Sequence, residues 1–271
     1  MMQSSATISL VPSLAGGPWI YGHGLAESMA KAAAAGFDAV ELFLDTPESI
    51  DPTQLRSLLQ ANGLKLAAVG TGAGKVLHGW TLTDPDAGVR TKARQYLMRI
   101  VAFAAQFGAP GIIGSMQGWV TKGVERTCCL DWLAEGMKEA ANAARNEGVT
   151  LLYEPLNRYE TNVFNRAGDA ASFLVERGLG GVCVLADLFH MNIEETSLAQ
   201  AILGAGSSIG HVHFADSNRR PVGFGHIEMG SVAEALHHIN YQGYVSAEAL
   251  PYPDPDQAAY QTMVAYRKWF T

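Results

Sequence analysis

Eight short apolar runs, separated by alanine-rich stretches of helical character, constrain the fold of this chain more than any other feature. The runs are ATISLV near Ile8, DAVELFL near Val40, LKLAAVG near Ala67 and GAPGIIGS near Ile112. The second four are VTLLYEP near Leu152, GVCVLAD near Val184, IGHVHFA near Val212 and YVSAEAL near Ala247. Strands covered by helices on one side and by each other on the other read as near-continuous hydrophobic runs. The intervening stretches, such as AESMAKAAAAGF and RTKARQYLMRIVAFAAQFG, each end at a glycine, which suits the left-handed residue that closes a helix. No linker or low-complexity segment interrupts the alternation. The expected fold is therefore α/β, a single-domain (β/α)8 TIM barrel over residues 1–271, close to the ~250 residues usual for it. An open doubly wound sheet is the alternative. It calls for a glycine fingerprint after strand 1, and SLAGGPW is not one.

Composition narrows the partners. A formal net charge of −7 argues against nucleic acid, which demands a basic surface. No apolar run approaches the ~18–20 residues of a membrane span, and the N-terminal stretch lacks the basic start of a signal peptide. Three sparse cysteines, two of them adjacent at Cys128 and Cys129, fit a reducing cytoplasm rather than a disulfide framework. The segment GTGAGKV looks like a phosphate loop but fails both patterns. Val69 stands where a Walker A loop needs its first glycine, Val76 follows Lys75 where Ser or Thr is required, and Lys75 occupies the last position of a dinucleotide fingerprint. It is expected to form a flexible loop above strand 3.

The run LLYEPLNRYE raises a chemical question, because it heads into a core and yet carries Glu154. An ionised carboxylate taken out of water is costly without a partner. In a barrel of this kind the C-terminal strand ends build the active site. Strand 5 ends at Glu154, strand 6 at Asp187, strand 7 at His213 and strand 8 at Glu248. Each is about one βα unit from the next, so the four can converge. Three carboxylates in an apolar setting resist ionising together, and a divalent cation removes the difficulty. Oxygen donors with one imidazole favour Mn²⁺, with Mg²⁺ or Co²⁺ as alternatives, and no cysteine pair has the spacing of a structural zinc site. His211 shares a face with His213 and is expected to fill a lower layer of the barrel. Arg158 is expected in a structural ion pair. Trp19, Tyr21, Trp80 and Trp119 fall in segments at the same barrel mouth, either lining the pocket or capping the core.

The motifs EPLNRYE, ADLFHMNIEE, HVHFADSNRRPVGFGH and SAEAL resemble, in order and spacing, the xylose-isomerase-like TIM barrel sugar isomerases and epimerases, most closely the D-tagatose/D-psicose 3-epimerases. The resemblance implies that Glu154, Asp187, His213 and Glu248 hold Mn²⁺, that Glu154 and Glu248 also move protons, and that Glu160, His190 and Arg219 bind substrate. It implies 3-epimerisation of a ketose by proton abstraction through a metal-bound enediolate, and a homo-oligomer, dimer or tetramer. The strand 8 loop LPYPDPDQ, with two Asp and three Pro, would repel a phosphate, so the sugar is expected to be unphosphorylated. An aldose–ketose isomerase of the hydroxypyruvate isomerase kind is the alternative. A metal nuclease of the endonuclease IV kind is more remote, since it needs several histidine ligands and a DNA-binding surface. A non-catalytic sugar-binding barrel would have no use for paired carboxylates beside the cation.

Overall fold

The computed structural model describes residues 1–22 and 24–271. Its strands are β1 (Gln3–Ser9), β2 (Ala39–Phe43), β3 (Lys65–Gly70), β4 (Gly111–Ile113), β5 (Leu151–Tyr153), β6 (Val182–Asp187), β7 (Ile209–His213) and β8 (Tyr244–Ala247). Every neighbouring pair is parallel, and β8 pairs back onto β1, so the sheet closes into a barrel in sequence order. This is the expected (β/α)8 fold. The helices are α1 (Leu25–Ala35), α2 (Pro52–Asn62), α3 (Ala73–Val76), α4 (Ala87–Ala105), α5 (Arg126–Asn146) and α6 (Ala167–Glu176). They continue as α7 (Leu188–Glu194), α8 (Leu198–Ala205), α9 (Met229–His238) and α10 (Pro255–Phe270). Among the described residues no helix is long and apolar enough to cross a membrane.

Local chemistry sets the helix ends. Asp51 caps α2 by accepting from the Thr53 N–H with Pro52 at the first helical position, and Asp254 caps α10 in the same way with Pro255. Gly36 closes α1 at φ 92°, where a Cβ is strongly disfavoured. The long α4 differs from the sequence reading at both ends. It starts earlier, at Ala87 under an Asp86 cap, and it stops at Ala105, three residues before the positive-φ Gly108.

The segment GTGAGKV also departs from expectation. It is a packed helical turn, α3, and not a flexible loop. Gly74 lies so close to Tyr96 and Met116 that a Cβ there would meet both within 3 Å. The cause is close packing: the glycines that mimic a phosphate loop let this turn seat against α4 and the loop after β4.

Two layers of apolar packing position the site. The large core fills the space between the outer strand faces and the helices. A second, smaller cluster of Ala68, Ile112, Leu152 and Leu185 sits inside the barrel, contributed by β3 to β6. With a side-chain period of two, Leu152 points the way of Glu154, and Leu185 that of Asp187. The interior is thus apolar below and acidic at its C-terminal mouth. Opposite these strands the interior is polar, with Glu41 of β2 meeting His211 of β7.

Candidate active site

Glu154 sits one residue past β5, yet its N–H still donates to the Ile113 carbonyl at 2.9 Å, so the ladder carries the carboxylate to the mouth. Asp187 ends β6 and also caps α7. One of its oxygens accepts from the His190 N–H at 3.0 Å, and the other faces His213 Nδ1 at 3.3 Å. His213 is in register with Asp187 at the end of β7. Glu248 follows β8, its Oε2 accepting from Arg219 Nη2 at 2.7 Å.

These residues converge. The Nδ1 of His213 lies 3.3 Å from Glu154 Oε1, 3.3 Å from Asp187 Oδ2 and 3.7 Å from Glu248 Oε2. One ligand atom from each of the four falls within 4.8 Å of the others. A single nitrogen has at most one proton to give, so it cannot satisfy three carboxylates. Glu154 Oε1 and His190 Nε2 are indeed buried without a hydrogen-bond partner. Three carboxylates against the one guanidinium of Arg219 leave an excess negative charge that a divalent cation would cancel. The donor set, three hard oxygens and one imidazole, fits such an ion. Its electrostatics agree. Burial, with repulsion from Glu154 and Asp187, pushes Glu248 up to about 7 against the pull of Arg219 and His213. Burial alone would lower His213, but Glu41 and Glu248 hold it well above its ordinary value. Burial opposes ionisation of Asp187, yet His190, His213 and Arg219 keep its carboxyl below the usual range.

The expected substrate-binding residues rim the same cavity, of about 480 Å³, within the range of small-molecule pockets. Glu160, His190 and Arg219 all line it. Arg219 also lies 3.6 Å from Glu160 Oε1 and stacks over Phe189 at 4.9 Å. Its backbone is left-handed, at φ 60°, and the turn is held from both sides. Arg219 N donates to Asp216 O at 2.8 Å, and Leu250 N donates to Arg219 O at 2.7 Å.

Sequence reasoning missed four residues that shape this site. Asn157 Nδ2 lies 2.8 Å from His190 Nδ1 and 3.0 Å from Glu160 Oε1, while its Oδ1 accepts from Tyr159 N at 2.9 Å. An amide nitrogen only donates, so His190 Nδ1 must accept and Nε2 carries the proton toward the cavity. Glu41 lies beneath His213 and touches both β7 histidines. Asp216 gathers the loop after β7 around its carboxylate. Gly114 leaves room for Glu154, since a Cβ there would fall 2.4 Å from Oε2. Only Glu41 had a readable signal, a carboxylate inside an apolar strand, as at Glu154.

The remaining expectations divide. Arg158 is the structural pair anticipated, binding Glu194 through Nε at 2.9 Å and Nη2 at 3.0 Å. His211 is buried one layer down, as expected. Of the four aromatics Trp19 lines the cavity, packed on Phe43 at 4.8 Å. Tyr21 is buried against β1, Trp80 packs on Tyr96, and Trp119 is partly exposed.

Comparison with known proteins agrees with the geometry. The family described as xylose isomerase-like TIM barrel matches residues 29–269. The D-psicose 3-epimerase of Agrobacterium fabrum is 32% identical over 225 residues, covering 80% of this chain and 76% of its own. The 3-dehydro-D-guloside 4-epimerase of Escherichia coli is 35% identical over 134 residues, 49% of this chain and 51% of its own. A crystal structure of D-psicose 3-epimerase in the presence of D-fructose superposes with a TM-score of 0.82 at 24% identity, covering 99% of each chain. At that identity the superposition speaks for the fold, and the sequence matches speak for descent. With a family match spanning nearly the whole barrel, the chain belongs to the xylose isomerase-like TIM barrel family.

Proposed function

We propose that this protein is a divalent-cation-dependent ketose 3-epimerase acting on an unphosphorylated sugar. The observation that carries the reading is that two carboxylates, buried Glu154 and half-buried Glu248, each bring a ligand atom to one cluster with Asp187 and His213. Glu154, Asp187, His213 and Glu248 would hold the cation, Mn²⁺ or a similar hard ion. When bound, it would act as a Lewis acid toward the sugar carbonyl and its neighbouring hydroxyl, acidifying the C–H between them.

The protein's residues do the rest. Glu154 and Glu248 come from strands separated by β6 and β7, so they approach a planar intermediate from different sides. One removes the proton and the other returns it, which inverts the carbon. His190 presents Nε2–H to a substrate oxygen, fixed in that tautomer by Asn157. Arg219 and Glu160 close the outer wall and offer a donor and an acceptor to hydroxyls further along the sugar.

The absence of phosphate from the substrate rests on the two loops where barrels usually bind one. The N-termini of α9 and α10 are already capped by carboxylates. Glu228 accepts from the N–H groups of Gly230 and Ser231, and Asp254 from that of Gln257. The charge of Arg219 is offset by Glu248 and Glu160, and Arg220 stacks over Tyr252 at 3.7 Å. A sugar phosphate with higher kcat/KM than its free sugar would contradict this part of the reading.

The test is proton exchange in D₂O with added Mn²⁺ over a set of free ketoses. Deuterium at C3 with inverted product is the expected result. Label at C1 or C2 with aldose formed would make the protein an isomerase instead. A second reading, 4-epimerisation of a 3-keto glycoside, draws on the E. coli relative, and label at C4 of a 3-keto glycoside tested alongside the ketoses would select it.

A further inference from the structure

Below the cation site lies a carboxylate that the reaction does not use. Glu41 is buried in the middle of β2, 4% exposed. Its Oε2 lies 2.9 Å from His211 Nε2 and its Oε1 3.1 Å from His213 Nε2. The contact crosses the barrel, because β1 and β8 lie between β2 and β7. It is permitted by the small residues those strands carry there, Ser5 and Thr7 on β1 and Ser246 on β8, all buried.

An ionised carboxylate only accepts hydrogen bonds. Both histidines must therefore carry a proton on Nε2. For His213 the consequence is definite: in the neutral ring, the lone pair is on Nδ1. That is the nitrogen facing Glu154, Asp187 and Glu248. A histidine that ligates a cation needs its lone pair on the ligating atom, and the hydrogen bond made by the other nitrogen decides where that is.

We propose that Glu41 is a positioning residue for the cation site, locking His213 in the Nε2–H tautomer and fixing its ring plane. His211 serves as the brace. By taking the second oxygen of Glu41 it pins the carboxylate, which would otherwise rotate freely about its last bond. The proposal rests on the cation reading above and adds to it a residue outside the four proposed ligands.

Two measurements test it. The first is the side-chain ¹⁵N spectrum of histidine-labelled wild-type protein loaded with Mg²⁺. The expected result is Nε2 protonated and Nδ1 unprotonated on His213, with Nε2 protonated on His211. A proton on His213 Nδ1 in the loaded protein would overturn the proposal. Wild-type protein that bound no divalent cation would overturn both this proposal and the reading beneath it.

The second measurement is Mn²⁺ affinity, by equilibrium dialysis, of Glu41→Gln. The amide accepts at one atom only, so one ring must give up its Nε2 proton or lose its bond. Affinity should fall about 10–100-fold, the usual effect of losing a group that orients a ligand. Sugar KM at saturating Mn²⁺ should stay near the wild-type value. Unchanged Mn²⁺ affinity, or intact affinity with kcat abolished, would show that Glu41 does something else and sink this inference alone. If the variant does not fold, the wild-type spectrum still decides.

Discussion

Replacing Asp216 with Asn should weaken the barrel and the site together. Asp216 stands just past β7, buried, and its carboxylate collects three backbone N–H groups. Oδ1 accepts from Ser217 at 2.8 Å and Ile227 at 3.0 Å, and Oδ2 from Gly223 at 2.8 Å. These bonds hold the loop in which Arg219 adopts its left-handed backbone, a conformation that costs about 1–2 kcal/mol and persists only when its surroundings impose it. Asn keeps one acceptor oxygen and sets an N–H against a backbone N–H on the other side. Buried hydrogen bonds to charged groups contribute about 1.5–3 kcal/mol each, and at least one is lost, so the expected loss is ~2–4 kcal/mol. Urea unfolding measures it. With Arg219 no longer held over Glu248, sugar KM should rise as well.

The pH dependence supplies a sign that packing alone would not. Burial opposes ionisation, but the backbone N–H groups of Ile227, Gly223, Ser217 and Gly225 outweigh it and hold the Asp216 carboxyl below its ordinary value. The unfolded chain therefore takes up this proton first. The stabilisation is complete above the unfolded-state value of about 3.9 and is lost as pH falls through the folded value. The stability gap between wild type and Asp216→Asn should narrow as the buffer is taken from neutrality to below that range. A gap under about 0.5 kcal/mol at neutral pH, the size of an ordinary surface change, with unchanged KM, would refute the reasoning.

Gly114→Ala should place a methyl against Glu154 Oε2 and lower cation affinity and kcat while leaving the unfolding midpoint within a few degrees; wild-type kinetics would show that Glu154 has room to shift. Asp187→Asn keeps an oxygen to cap α7 but removes a charge from the cluster, so metal analysis should find the cation largely lost from a folded protein. Glu154→Gln and Glu248→Gln should each stop net epimerisation, and a variant that retains cation should still exchange the substrate proton on the face of its remaining carboxylate. Solvent exchange measured alongside product formation tests this, and full turnover by either variant would remove the two-base scheme.

The barrel was readable from the chain because its signals are local. Each apolar run is a strand by its own composition, each Ala-rich stretch a helix, and their alternation admits few closures. Glu154, Asp187, His213 and Glu248 were readable for the same reason. Each is a polar residue at the end of an apolar run, and the fold class puts those ends together. Arg158 needed only its own loop and Glu194 at the end of α7.

What escaped depends on contacts made across the closed barrel. Glu41 bears the same local mark as Glu154, but its partners His211 and His213 are on a strand that reaches it only through the interior. Asn157 could be any loop amide until α7 brings His190 within 2.8 Å of it. The glycines of GTGAGKV read as freedom, and only the packed neighbours Tyr96 and Met116 turn them into a requirement for close approach. Sequence alone determined which residues arrive at the mouth of the barrel, since strand ends are set by local composition. Tertiary structure alone decided which atom of each residue faces the centre, because hydrogen bonds from distant strands and loops fix tautomers and carboxylate orientations.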